Sequence, residues 1–192
     1  TSADYSDDGP DTVRTVTKSG KLKEYYALVN RDDRLSACPE AALIPLTADK
    51  KKLLATIDGF KAKGVTAGGI AAQWGYYMLS PKWRQTIKNS SQGDGPADFN
   101  AKKVQKVAIL MTDGQFNTAF ASVPDNETPQ NYQGTRSRAN AEAICDNMKK
   151  NGIAVFTIGF DLPSGEANEA RAVLKDCSST DSGSTRHFYD VS

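Results

Sequence analysis

The chain holds a single histidine, His187, among its 192 residues. No serine or cysteine is recognisable in sequence as its partner in a nucleophile–base pair, so it reads as a structural residue. Cysteine is scarce as well: Cys38, Cys145 and Cys177 show none of the close pairing of zinc or redox motifs, which argues against a zinc site. No stretch approaches the roughly 18 consecutive apolar residues of a spanning helix. Charge of one sign is also missing, with 24 Lys and Arg against 23 acidic residues. Such a surface has no long-range field to draw nucleic acid or an anionic membrane. The opening residues Thr1-Ser2-Ala3-Asp4-Tyr5 lack an initiator Met, a basic start and the apolar segment of a signal peptide. The chain is therefore expected to be a piece of something longer, with any export or anchoring segment upstream.

What is present suits one domain with a sizeable core and generous polar loops: 39% apolar residues and a negative mean hydropathy. Residues 1–40 read as irregular, with an acidic Asp7-Asp8-Gly9-Pro10 turn and one strand near Glu24–Val29. Organisation begins at Pro45. Thr47 reads as an N-cap and Asp49 as a first-turn acid; Leu53, Leu54, Ile57 and Phe60 recur at helical spacing, and Gly64 supplies the stop. Thr66 opens a second helix with Ile70, Trp74, Tyr77 and Met78 as its stripe, ending before Pro81. The small residues Ala67, Gly68, Gly69, Ala71 and Ala72 at its start predict close approach to another backbone or a ligand. Trp74, Tyr76, Tyr77 and Trp83 read as packing aromatics, and residues 84–103 as a long loop.

The most informative segment follows. Val107-Ala108-Ile109-Leu110-Met111 closes on Thr112-Asp113-Gly114, which reads as a buried parallel strand carrying a carboxylate to the C-terminal edge of a sheet. That edge is where open α/β sheets bind ligands. A polar excursion through Gly134 leads to a helix from near Arg138, with Ala141, Ile144, Cys145 and Met148 as its stripe and Gly152 as its stop. Ile153–Phe160 is the next strand, Glu166–Cys177 the next helix, and His187–Val191 a short last strand. This alternation predicts an α/β fold with right-handed crossovers and a mostly parallel sheet. A Cys145–Cys177 bridge between the two helices would contribute about 3 to 4 kcal/mol in an oxidising compartment. Three reduced, buried thiols are the alternative, and Cys38 is left over in either case.

Gly64-Val65-Thr66-Ala67-Gly68-Gly69 opening a helix, followed by Ala108-Ile109-Leu110-Met111-Thr112-Asp113-Gly114 with Asn117, resembles the von Willebrand factor A domain. More narrowly, the chain is similar to the TadG group of tight-adherence (Flp) pilus assembly proteins. The supporting features are Cys38-Pro39, Pro45-Leu46-Thr47, Trp74–Pro81, Ile144-Cys145-Asp146 and Leu174-Lys175-Asp176-Cys177. The resemblance implies a Rossmann-type sheet flanked by helices, with residues 41–192 forming the C-terminal part of the domain. It also implies a divalent cation, Mg2+ or Mn2+, held at the top of the sheet by an Asp-x-Ser-x-Ser loop, a Thr and an Asp. Thr66 matches the Thr and Asp113 the Asp. Asp4-Tyr5-Ser6-Asp7-Asp8 imitates only the beginning of the first loop, and no strand could precede it. The domain is therefore expected to be incomplete on its N-terminal side. An upstream segment or another chain is expected to cover the sheet edge that the opening strand would occupy, and to supply the partner of Cys38.

The resemblance further implies a non-enzymatic module for adhesion or assembly contacts with pilus or secretion-system proteins. The parent would be anchored in the inner membrane upstream, with the domain in the periplasm or at the cell surface. A metal-free scaffold is the competing reading: Thr66 would then merely cap its helix and Asp113 the turn after its strand. An enzyme using Asp113 as a phosphotransfer nucleophile is disfavoured, because Asp113-Gly114-Gln115-Phe116 offers no second acid two residues on.

Overall fold

The computed structural model describes residues 13–18, 21–26, 41–61, 66–89, 95–117, 132–162 and 167–191, with side chains described from residue 41 onward except at 132, 133, 136, 167 and 168. Its centre is a three-stranded parallel sheet in the order β3 (Val107–Thr112), β4 (Ala154–Phe160), β5 (Phe188–Val191). Ile109 stands opposite Phe156, Met111 opposite Ile158, and Ile158 opposite Tyr189. Before it in the chain, β1 (Val13–Lys18) and β2 (Lys21–Tyr26) form an antiparallel hairpin where one strand was expected.

The crossover helices all lie on one face of the sheet, as right-handed βαβ connections require. α2 (Gly68–Leu79) packs on α4 (Tyr132–Lys150), and α4 in turn on α5 (Ala167–Cys177). Tyr76, Phe116, Ala141, Ile144, Met148, Ile153, Val155 and Val173 make the core beneath them, joined by Ala108 and Leu110 of β3. Thr157, fully buried in β4, donates its hydroxyl to the Leu174 carbonyl of α5, so that polar atom costs nothing inside the core. A satellite cluster stacks Trp83 on Tyr77 at 4.1 Å and sets Trp74 edge-on at 5.7 Å, so these aromatics pack as expected. Cys145 and Cys177, both buried, are joined by a disulfide that ties α4 to α5; Cys38 lies outside the described residues.

The other face of the sheet is bare among the described residues. Ile109 is 66% exposed and Met111 64%, and Val107, Phe160, Tyr189 and Val191 are exposed with them. The apolar run of β3 is thus buried on one side only, with Ala108 and Leu110 inward. The expectation of a strand covered on both faces fails because the three helices of this segment share one layer. β3 is also an edge of the described sheet, with β4 as its one strand neighbour.

Other boundaries shift for local reasons. α1 (Lys50–Asp58) begins two residues later than expected: Asp49 is its N-cap, accepting from the Lys52 amide, while the Thr47 hydroxyl accepts from the Asp49 amide. It ends at Gly59 rather than Gly64, leaving Phe60 beyond it, and buries none of its residues. The stripe that reads as a core face is therefore exposed. In α2 the buried face is Gly68, Gly69, Ala72, Gln73, Tyr76 and Tyr77, rotated from the predicted stripe because the small residues face α4. Pro81–Trp83 forms a 3-10 turn leading into α3 (Arg84–Asn89), inside what reads as a loop. α4 starts at Tyr132, six residues before Arg138.

Lys106, just before β3, is buried; its ammonium donates to the Leu79 and Ala97 carbonyls and lies over the Phe99 ring. A cation at the end of α2 is favoured by the carbonyls left free there.

Candidate functional site

β3 ends at Thr112, whose hydroxyl donates to the Gly114 carbonyl at 2.9 Å and accepts from the Gly114 amide at 3.3 Å. This hydroxyl-closed turn, not the Asp113 carboxylate, caps the strand end. Asp113 projects from it exposed, with no hydrogen bond or ion pair among the described residues. Past the turn, Phe116 drops into the core and Asn117 reaches the loop that precedes α2.

That loop is clamped from both sides. The Asn117 amide donates to the Thr66 carbonyl at 3.0 Å, and the Thr66 amide donates to Asn117 Oδ1 at 2.9 Å. Thr66 does not cap the helix; Ala67 holds the N-cap position and offers no side-chain bond. The Thr66 hydroxyl has no hydrogen-bond partner among the described residues. Asn117 thus joins the segment after β3, which carries Asp113, to the Thr66 segment.

The glycines at this end of α2 are explained by protein neighbours. A methyl on Gly68 would overlap the Phe116 ring, and one on Gly69 would meet the Ser137 carbonyl at 2.9 Å. The Gly69 amide, otherwise an orphan of the first helical turn, is satisfied by Ser137 Oγ at 3.2 Å. Arg138 completes the support, donating to the Phe116 carbonyl at 3.4 Å while pairing with Glu169 at 3.0 Å. Ser137, Phe116 and the double bond of Asn117 were not legible in sequence as site-forming. Only the unexplained run of small residues at 67–72 signalled that something comes close here.

Among the described residues no three His, Cys, Asp or Glu side chains cluster to hold a metal. A cation here would therefore draw on the Thr66 hydroxyl, the Asp113 carboxylate, water and groups from elsewhere. Asp4–Asp8, the imitation of a first loop, lies outside the described residues. His187 is buried against Phe156, ring centroids 4.6 Å apart, with its amide bonded to Asp181 Oδ1 at 2.8 Å. Its Nδ1 sits 3.7 Å from that carboxylate without a hydrogen bond, so the ring is held by packing. On α4, burial chiefly, with the charges of Asp176 and Asp146, pushes Glu142 above the usual carboxylate range against the opposing pull of Arg138.

A cleft of about 670 Å³ lies at the opposite, N-terminal edge of the sheet, lined by Lys149, Lys175, Asp176, Asp181 and Arg186 among others. Its charges are mixed, Lys149, Lys175 and Arg186 against Asp176 and Asp181, and it faces the C-terminal end of α5, where the helix dipole opposes an anion. The strand-end loops remain the better candidate, because their geometry is built by specific bonds.

No family model, curated protein or solved structure matches this chain. The α/β architecture with its parallel sheet is what the structure supports, compatible with a Rossmann-like fold. No helix among the described residues is long and apolar enough to cross a membrane.

Proposed function

We propose that this chain is a non-enzymatic protein-interaction module of the von Willebrand factor A type, serving adhesion or assembly in a tight-adherence pilus system. The observation that carries the reading is the strand-end edge itself. Two loops are locked together through Thr66 and Asn117, yet the Thr66 hydroxyl and the Asp113 carboxylate are left without partners among the described residues. These are hard oxygen donors on a rigid base, which suits magnesium or manganese with several retained waters. When bound, the cation supplies an electrophilic contact for an acidic side chain of a partner. The chain's own residues do the positioning: Asn117 fixes the Thr66 backbone, Thr112 turns Asp113 outward, and Phe116 anchors the intervening loop.

The partner would be a pilus or secretion-system component presenting an Asp or Glu. The parent would be held by an upstream anchor with this domain in the periplasm or at the cell surface, where the Cys145–Cys177 bond persists. A metal-free scaffold is the second reading. It is favoured by the fact that the bonds and ring contacts holding these loops need no ion.

Isothermal titration of Mg2+ and Mn2+ into the chain and into Asp113→Ala separates the two readings. Saturable binding that disappears in the variant is expected. No binding of either ion to the unmodified chain would overturn the cation site and leave the scaffold.

A further inference from the structure

Among the described residues two aspartates precede a glycine, Asp58 before Gly59 and Asp113 before Gly114. Glycine is the successor that least hinders attack of a backbone amide on the preceding side-chain carboxyl, because no Cβ stands beside the nitrogen. We infer that Asp113 with Gly114 is a site of spontaneous isomerisation in the folded protein, where the aspartate closes to a succinimide and reopens as isoaspartate, while Asp58 with Gly59 is held inert by its helix. The inference does not depend on a bound cation.

The strand end leaves the reaction open. β3 pairs with β4 only as far as Thr112, so the backbone of Asp113 lies beyond the ladder. The Asp113 carboxyl is exposed and makes no hydrogen bond or ion pair among the described residues, so nothing holds it away from the next peptide. The Gly114 amide donates to the Thr112 hydroxyl at 3.3 Å, longer than an ordinary N–H···O bond. A Cβ built on Gly114 would meet nothing within 4 Å, so the space around the nitrogen is free. Asp58 is the contrast. It is the last residue of α1, where a side chain leans toward the helix N-terminus and away from the amide that follows, and the Gly59 amide donates to the Thr56 carbonyl at 3.1 Å. Asp181 precedes the small Ser182, but its carboxylate already accepts from the His187 amide at 2.8 Å. The other described aspartates precede larger residues.

The step needs no co-reactant. The Gly114 nitrogen bonds to Asp113 Cγ, and the carboxyl hydroxyl and the amide proton leave together as water; closing so small a ring within one residue is a proximity effect. Water then adds at either ring carbonyl. Opening at Cγ restores aspartate. Opening at the backbone carbon leaves the chain running through Cβ and Cγ, with the carboxylate now on Cα. The backbone gains a methylene between Thr112 and Gly114 and the side chain loses one, which changes the spacing of the turn that the Thr112 hydroxyl closes. If the strand end holds a cation, that conversion takes its carboxylate out of place.

Prolonged incubation of the full chain at neutral pH, followed by peptide mapping and enzymatic methylation of isoaspartate, tests this. Isoaspartate at 113 should accumulate at least about fivefold faster than at 58, and in urea the two rates should converge to within about twofold, since the fold is what separates them. Gly114→Ala, whose methyl has room, should slow conversion at 113 at least about tenfold with the melting temperature unchanged. Thr112→Val frees the Gly114 amide and should speed conversion at least about twofold. No isoaspartate at 113 in the folded chain overturns the proposal, as do equal folded rates at 58 and 113 or a Gly114→Ala chain that converts as fast as the unmodified one. A preference for 113 that survives in urea, or a Thr112→Val rate no higher than that of the unmodified chain, overturns the part assigned to the turn.

Discussion

The contact between Gly68 and Phe116 predicts that Gly68→Ala, ordinarily a helix-stabilising change, destabilises this protein. Gly68 opens α2 with an ordinary backbone, so by propensity alone alanine would gain up to about 1 kcal/mol, and less at a first helical position. The added methyl, however, falls onto the Phe116 ring, which is 4% exposed and enclosed by the core of α2, α4 and β3. Relief requires moving a buried ring or the helix end, an overpacking cost of about 1–3 kcal/mol. The expected net loss is about 1–2 kcal/mol, seen as a urea midpoint lowered by roughly 0.5–1 M at unchanged slope. In a Phe116→Leu background the same substitution should cost at least about 0.5 kcal/mol less, since contacting residues couple. Phe116 belongs to the loop bearing Asp113, so any cation binding should weaken in parallel. A Gly68→Ala protein as stable as the unmodified chain, with the same effect in both backgrounds, would refute the packing argument.

Asn117→Ala removes the acceptor for the Thr66 amide and should cost roughly 1–2 kcal/mol in denaturant titration. Asn117→Asp, which keeps an acceptor, should recover most of it. Glu142 has its folded-state pKa raised, so the folded protein holds that proton more tightly than the unfolded chain; stability must fall as pH rises from the ordinary carboxylate value through the raised one. Glu142→Gln should therefore raise the melting temperature at pH 7 and flatten this part of the stability profile. Cys145→Ala/Cys177→Ala should lose about 3–4 kcal/mol against the oxidised protein by chain entropy, read from denaturant midpoints, with the parallel sheet retained by circular dichroism.

The α/β alternation was legible because each crossover carries strong punctuation. Gly152 ends α4, Pro81 follows α2, and the apolar runs at 107–111 and 153–160 are short enough to read as strands rather than helices. Periodicity does not count layers, however. A run such as Val107–Met111 reads as buried on both sides whether or not a second layer of helices exists, so the open face was invisible. The α1 stripe misled for the same reason: amphipathicity shows that a face wants a partner, not that it has one. The loops carrying Thr66 and Asp113 were singled out in sequence, but the bonds that hold the Thr66 loop were not. Asn117, Phe116 and Ser137 act through contacts far apart in sequence, and Ser137 lies where the polar, glycine-containing start of α4 conceals a helix.

The Cys145–Cys177 bond and the Gly69–Ser137 contact together make α4 a mechanical hub. A force applied at the Asp113 loop passes through Asn117 to the Thr66 segment and the start of α2, from there to α4, and across the disulfide to α5. The last of these links is covalent, so traction spreads over three helices rather than peeling β3 from β4 one ladder bond at a time. A domain tied this way would yield by collective shear of its helical layer.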